Sequence, residues 1–113
     1  MSVPLVDIDG SGRFKYVLLR MLVPGRAPVT VVRGYLKKTY HVDVMDEALA
    51  RAGAGASAEC LGGGRIEHDA AKKTLFVYGY SQAFGRGDHA QAVELLRGKF
   101  PDYAEIKWSN DGY

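Results

Sequence analysis

The stretch Phe14-Lys15-Tyr16-Val17-Leu18-Leu19-Arg20-Met21 decides the fold class, because it alternates with period two and is largely apolar on both sides. Phe14, Tyr16 and Leu18 fall on one face, Lys15, Val17, Leu19 and Met21 on the other. Successive side chains of a strand point to opposite faces of a sheet, so a strand that is apolar on both is expected to be buried and central. Downstream, Pro24-Gly25-Arg26-Ala27-Pro28 supplies turn residues, and the β-branched run from Val29 to Tyr35 predicts an antiparallel partner strand with Arg33 near its end. Upstream, Asp7-Ile8-Asp9-Gly10-Ser11-Gly12 reads as a turn-forming run.

From Tyr40 the period changes. Val42, Met45, Leu49 and Ala52 are spaced for one face of a helix, which the glycines and alanines from Gly53 to Ala58 end. Beyond Cys60-Leu61-Gly62-Gly63-Gly64-Arg65, the segments Ile66 to Asp69 and Thr74 to Tyr80 read as a hairpin. Gly85, Gly87 and Asp88 then introduce a helix with Ala92, Val93, Leu96 and Phe100 on one face, Asp88 and Gln91 spaced as a capping box, and Pro101 as its stop. Ala104, Ile106 and Trp108 alternate as a last strand. The order strand, strand, helix, hairpin, helix, strand predicts an α/β fold: a mixed β-sheet of about five or six strands with two helices packed against it.

The 113 residues suit a single domain spanning 1–113. With 47% hydrophobic and 25% charged residues the chain fits neither a disordered, a collagen-like nor a coiled-coil composition. A net charge of +2, scattered along the chain, gives no support to a nucleic-acid partner. The longest apolar run, Tyr16 to Val23, is interrupted by Arg20 and falls far short of the ~20 residues that span a bilayer, so no membrane association is expected. Cys60 is the single cysteine and the N-terminus lacks the pattern of a secretory signal, which makes a reducing, cytoplasmic setting the expectation. No heptad or interface stripe stands out, so a monomer is expected.

Three constellations could carry chemistry. His41 opens the first helix, where the helix dipole disfavours an imidazolium and keeps the ring neutral and able to accept a proton; by residue type alone a helix-start spacer explains it as well. Tyr78-Gly79-Tyr80-Ser81-Gln82-Ala83-Phe84-Gly85-Arg86-Gly87 leads from a strand through a glycine-bearing turn into a helix, a geometry that can aim amides and a hydroxyl at phosphate oxygens, although an ordinary connecting loop would have the same residues. Cys60 and Arg65 imitate the loop of cysteine-dependent phosphatases but are separated by four residues where that signature has five, so Cys60 reads as a small core residue. The Asp7-x-Asp9-x-Ser11 start of a calcium-like loop has Leu18 where a bidentate Glu belongs, and His41, His68 and His89 have no metal-ligand spacing. No metal and no cofactor is expected.

Taken together, Phe14-Lys15-Tyr16-Val17-Leu18, Val32-Arg33-Gly34-Tyr35, Tyr40-His41-Val42-Asp43, Glu59-Cys60-Leu61-Gly62-Gly63-Gly64-Arg65-Ile66, Val77-Tyr78-Gly79-Tyr80-Ser81 and Trp108-Ser109-Asn110-Asp111-Gly112-Tyr113 resemble the Janus/Ocnus family of phosphohistidine phosphatases nearly end to end. The resemblance implies a small cytosolic α/β enzyme that hydrolyses the P–N bond of phosphohistidine in proteins without a metal. It implies that His41 is the catalytic proton acceptor, that Lys15, Ser81, Gln82 and Ala83 bind substrate, and that Arg33 and Arg65 are basic positions near the same pocket. Where vertebrate members usually read Ser-Met-Ala-Tyr-Gly this chain has Ser81-Gln82-Ala83-Phe84-Gly85, a change that backbone amides and the Ser81 hydroxyl would tolerate. Two other readings stay open: a non-catalytic phosphohistidine or anion-binding module using the Ser81 loop, and a cysteine-dependent phosphatase using Cys60 and Arg65.

Overall fold

A computed structural model describes residues 3–111, so Gly112 and Tyr113, the end of the C-terminal motif, lie outside the described residues. The elements are β1 (Val6–Ile8), β2 (Gly12–Leu22), β3 (Val29–Gly34), α1 (His41–Ala52), β4 (Ser57–Asp69), β5 (Thr74–Tyr78), α2 (His89–Lys99) and β6 (Glu105–Trp108). The strands form one six-stranded sheet in the order β1-β3-β2-β4-β5-β6. The β3-β2, β2-β4 and β4-β5 pairs are antiparallel, and the two outer pairs, β1-β3 and β5-β6, are parallel. This is the mixed α/β architecture that the order of the elements predicts, with the alternating run Phe14 to Met21 in a central strand.

The two faces of β2 explain why it must be central. Phe14, Tyr16 and Leu18 enter a core completed by Ala92, Val93 and Leu96 of α2. Val17, Leu19 and Met21 enter a separate core completed by Val44 and Ala48 of α1. One helix therefore covers each side of the sheet, and every residue of β2 from Tyr16 to Leu19 is fully buried.

Three elements differ from the expectation. The run Asp7 to Gly12 is not all turn: Val6–Ile8 pairs in parallel with Val32–Gly34, because Asp7 finds partners in the Tyr35 hydroxyl and Arg51 and so tolerates a strand position. The buried stripe of α1 is His41, Val44 and Ala48, with Met45, Leu49 and Ala52 flanking it, whereas Val42 is 45% exposed. The spacing of Val42 was compatible with a helix but one residue off the stripe that the sheet selects. Finally, the strand expected to begin at Ile66 begins at Ser57 and takes in the glycine run ahead of it. This is β4, a 13-residue strand whose register against β2 shifts between Leu18 and Leu19, a bulge that leaves Leu61 unmatched.

α2 begins at the predicted Asp88 cap, whose side chain accepts a hydrogen bond from the Gln91 amide at 3.1 Å, but the return bond from the Gln91 side chain that would complete a capping box is not formed.

Candidate functional site

The glycines of β4 matter because two rings need the space above and below them. A Cβ on Gly63 would lie 2.9 Å from His41 Cδ2, and one on Gly64 would lie 2.8 Å from His89 Cε1. Each histidine is the first residue of its helix, so α1 and α2 press their N-termini against the strand from opposite sides. The same Cβ atoms would lie 2.4 Å from the Tyr16 carbonyl oxygen and 2.3 Å from that of Tyr78, so only glycine fits between the neighbouring strands and the two rings.

His41 is 7% exposed, and its Nε2 lies 2.9 Å from the Gly64 carbonyl oxygen. A carbonyl can only accept, so Nε2 carries the proton and donates it. The lone pair of the neutral ring is thereby confined to Nδ1. Burial pushes the His41 pKa below its ordinary 6.5; the bond to Gly64 opposes this, and the charges of Lys15 and Arg65 add to the lowering. The site thus holds a neutral imidazole of fixed tautomer at neutral pH.

Lys15 and Arg65 stand directly opposite one another in the β2-β4 register. Facing like charges concentrate positive potential at this point of the sheet. The Lys15 ammonium donates to the Thr39 carbonyl and lies 5.7 Å from the centroid of the Tyr40 ring, which steers it toward the start of α1.

The loop after β5 closes on itself. Ser81 and Gly85 exchange backbone hydrogen bonds of 3.1 and 2.8 Å, and the buried Ser81 hydroxyl accepts from the Phe84 amide at 3.1 Å. Gly63 ties the loop to the sheet by donating to Gly85 at 3.0 Å and accepting from Gly87 at 2.9 Å. Among the described residues, the amides of Gln82 and Ala83 at the tip have no hydrogen-bond partner within the protein. Two such adjacent N–H groups form a concavity suited to an anion.

These pieces meet in one cavity of about 320 Å³ lined by Lys15, His41, Arg65, Ser81, Gln82 and Ala83, together with Tyr40, Val42 and Tyr80. The last three were not legible as site residues: Val42 looked like core, and the two tyrosines carry no charge that would mark them. Arg33 does not join the others. It is buried with its guanidinium on the Val32 carbonyl at 2.9 Å and the Pro4 carbonyl at 2.7 Å, where it fastens the N-terminal segment to β3.

Cys60 is likewise elsewhere. It is half-buried against the α1 core, burial raises its pKa, and its link to Arg65 is extended strand rather than a loop that could wrap a phosphate. A raised pKa leaves the thiol protonated and poorly nucleophilic. His68 donates from Nδ1 to the Asp9 carbonyl at 2.8 Å and accepts from the Tyr103 hydroxyl at 2.5 Å, while His89 donates from Nε2 to the Gly79 carbonyl at 2.7 Å and accepts from Tyr16 at 2.5 Å. Both rings are fully used. Among the described residues no group of three or more His, Cys, Asp or Glu side chains is arranged to hold a metal ion. No helix among them is long and apolar enough to cross a membrane.

A sequence profile of the Janus/Ocnus family (Ocnus) matches residues 1–104. The chain is 51% identical over 113 residues to the sex-regulated protein janus-A of Drosophila yakuba, covering 99% of this chain and 83% of that protein. It is 44% identical over 118 residues to the 14 kDa phosphohistidine phosphatase of Homo sapiens, covering 98% of this chain and 94% of that one. The corresponding protein of Sus scrofa is 42% identical over 119 residues, with 99% and 94% covered.

Proposed function

The chain belongs to the Janus/Ocnus family, and from that premise we propose that it is a protein phosphohistidine phosphatase, its residues 1–113 acting as one domain. The observation that carries the reading is the neutral His41, pinned through Nε2 to Gly64, in the same cavity as two cations and two unpartnered amides. The human and pig relatives bear the name of this activity, and the janus-A relatives bear none.

In this mechanism the phosphoryl oxygens sit on the amides of Gln82 and Ala83 and the Ser81 hydroxyl, with Lys15 and Arg65 balancing their charge. His41 Nδ1 takes a proton from a water molecule as its oxygen bonds to phosphorus. The P–N bond breaks, and the released imidazole of the substrate takes up a proton from His41 or from solvent. The imidazole of a P–N bond departs readily once protonated, so in this reading the amide cradle, the charges of Lys15 and Arg65 and the positioned His41 carry the reaction, and turnover is metal-independent. The substrates are phosphohistidine-containing proteins of the cytoplasm, met by a monomer without cofactor.

The test is phosphate release from a phosphohistidine protein, with and without chelator, by the intact chain and by His41→Ala. Turnover that survives chelation and disappears in His41→Ala is expected. Binding without release by the intact chain would establish the anion-binding module in its place, and activity lost in Cys60→Ser but kept in His41→Ala would establish the cysteine route.

A further inference from the structure

Next to the cavity, the same face of the sheet stays open. α1 packs mainly on β2, β3 and β4, and a broad depression of about 590 Å³ lies beyond its footprint, over β2, β4, β5 and β6. Its floor includes Phe76, whose ring stacks on that of Tyr78 with centroids 5.1 Å apart and planes 16° from parallel. Beside Phe76 the charges are paired, Arg13 meeting Glu67 at 3.0 Å and Lys107 meeting Glu105 at 3.0 Å, while Asp69 and Lys72 also line the depression, at the β4-β5 turn. The stacked Phe76 and Tyr78 rings are thus an apolar patch flanked by charges already paired with each other, which fits one uncharged, apolar side chain laid on the rings.

The register fixes how far this floor is from the phosphate groups. Arg65, which lines the cavity, faces Tyr78, and two residues along the strand Glu67 faces Phe76. Two residues along a strand and one strand across amount to about 8 Å. An extended peptide covers about 3.3 Å per residue, so the same span is two to three residues.

We propose that the Phe76-Tyr78 platform is a specificity subsite that takes an apolar side chain two or three residues from the phosphohistidine of a protein substrate. The proposal rests on the phosphatase reading and adds what that reading lacks, a basis for choosing among phosphohistidine proteins. A small phosphoramidate fills the cavity alone and does not reach the platform. A protein or peptide lies across the open sheet face, with the phosphohistidine side chain in the cavity and its neighbour on the rings.

The experiment compares kcat/KM on free phosphohistidine with that on short phosphohistidine peptides carrying leucine or alanine at the second and third positions on either side. The intact chain should prefer a leucine peptide by about tenfold, or about 1.4 kcal/mol. Phe76→Ser should abolish the preference and Phe76→Leu should keep it, both turning over free phosphohistidine as the intact chain does, which also reports an intact fold. Equal rates on leucine and alanine peptides by the intact chain would overturn the subsite, as would a Phe76→Ser loss equally large on free phosphohistidine. Absence of turnover on every substrate would instead overturn the phosphatase reading, and the subsite with it.

Discussion

Replacing Gly63 by alanine tests whether the glycine of β4 exists to seat the candidate base. The added Cβ would lie 2.4 Å from the Tyr16 carbonyl oxygen and 2.9 Å from His41 Cδ2. An ordinary carbon–oxygen contact is about 3.3 Å or more, so relief requires about 1 Å of movement, and the nearest neighbour is backbone in the central strand rather than a flexible side chain end. Overpacking of this kind costs about 1–3 kcal/mol, which for a domain of this size lowers Tm by about 4–12 °C. The other way to relieve the clash is to push the His41 ring off Gly63, which loosens its bond to Gly64. A misplacement near 1 Å of a catalytic group costs about a hundredfold in rate. Gly63→Ala is therefore expected to lose both stability in thermal unfolding and about two orders of magnitude in kcat/KM on a phosphohistidine protein. Gly98→Ala provides the contrast, since nothing lies within 4 Å of a Cβ built there in α2. Gly63→Ala with wild-type Tm and kcat/KM within twofold of the intact chain would refute the idea that this position is glycine for the sake of His41.

The contrast is itself a prediction: Gly98→Ala should stabilise by about 0.5–1 kcal/mol in denaturant unfolding with activity unchanged, because it sits exposed inside a helix where alanine limits the unfolded chain. For pH, the base must be neutral, and its pKa lies below 6.5, so kcat/KM should be flat just above 6.5 and fall as pH drops through the lowered value; Lys15→Met, which removes one of the causes of the lowering, should move that acid limb to higher pH. Stability follows the same sign: His41 and His89 both bind protons less readily folded than unfolded, so their contribution is full above 6.5 and is lost as pH falls toward the folded values, seen as a declining denaturation midpoint. Cys60→Ser should retain turnover within about threefold, as measured by phosphate release, because the thiol lies in the α1 core with a raised pKa; abolished turnover would contradict its assignment as packing.

Much of the architecture was legible because it rests on periodicity. The two-sided apolar run of β2 could only be a covered strand, and the Asp88-Gln91 pair ahead of an apolar stripe could only be a helix start. Signals that depend on partners were not legible. β1 is three residues long and acquires strand character from β3, while the turn-forming chemistry of Asp7 is absorbed by Tyr35 and Arg51. Val42 is as apolar as Val44, and only the direction from which the sheet meets α1 decides that one is exposed and the other buried.

The site divides the same way. The sequence alone determined the residue types to which the proposed mechanism assigns a phosphoryl group: a histidine at a helix start, a lysine on the central strand, a serine in a glycine-bearing turn. It could not determine which nitrogen of His41 holds its proton, because that follows from the Gly64 carbonyl 23 positions away along the chain. Nor could it separate Arg65 from Arg33, two basic strand residues of which one lines the cavity and the other is spent on the carbonyls of Val32 and Pro4. Side-chain type and local period are properties of neighbouring residues and survive in the sequence. Tautomer, charge clustering and the open half of a sheet are set by groups distant along the chain, and they exist only once the strands have found their register.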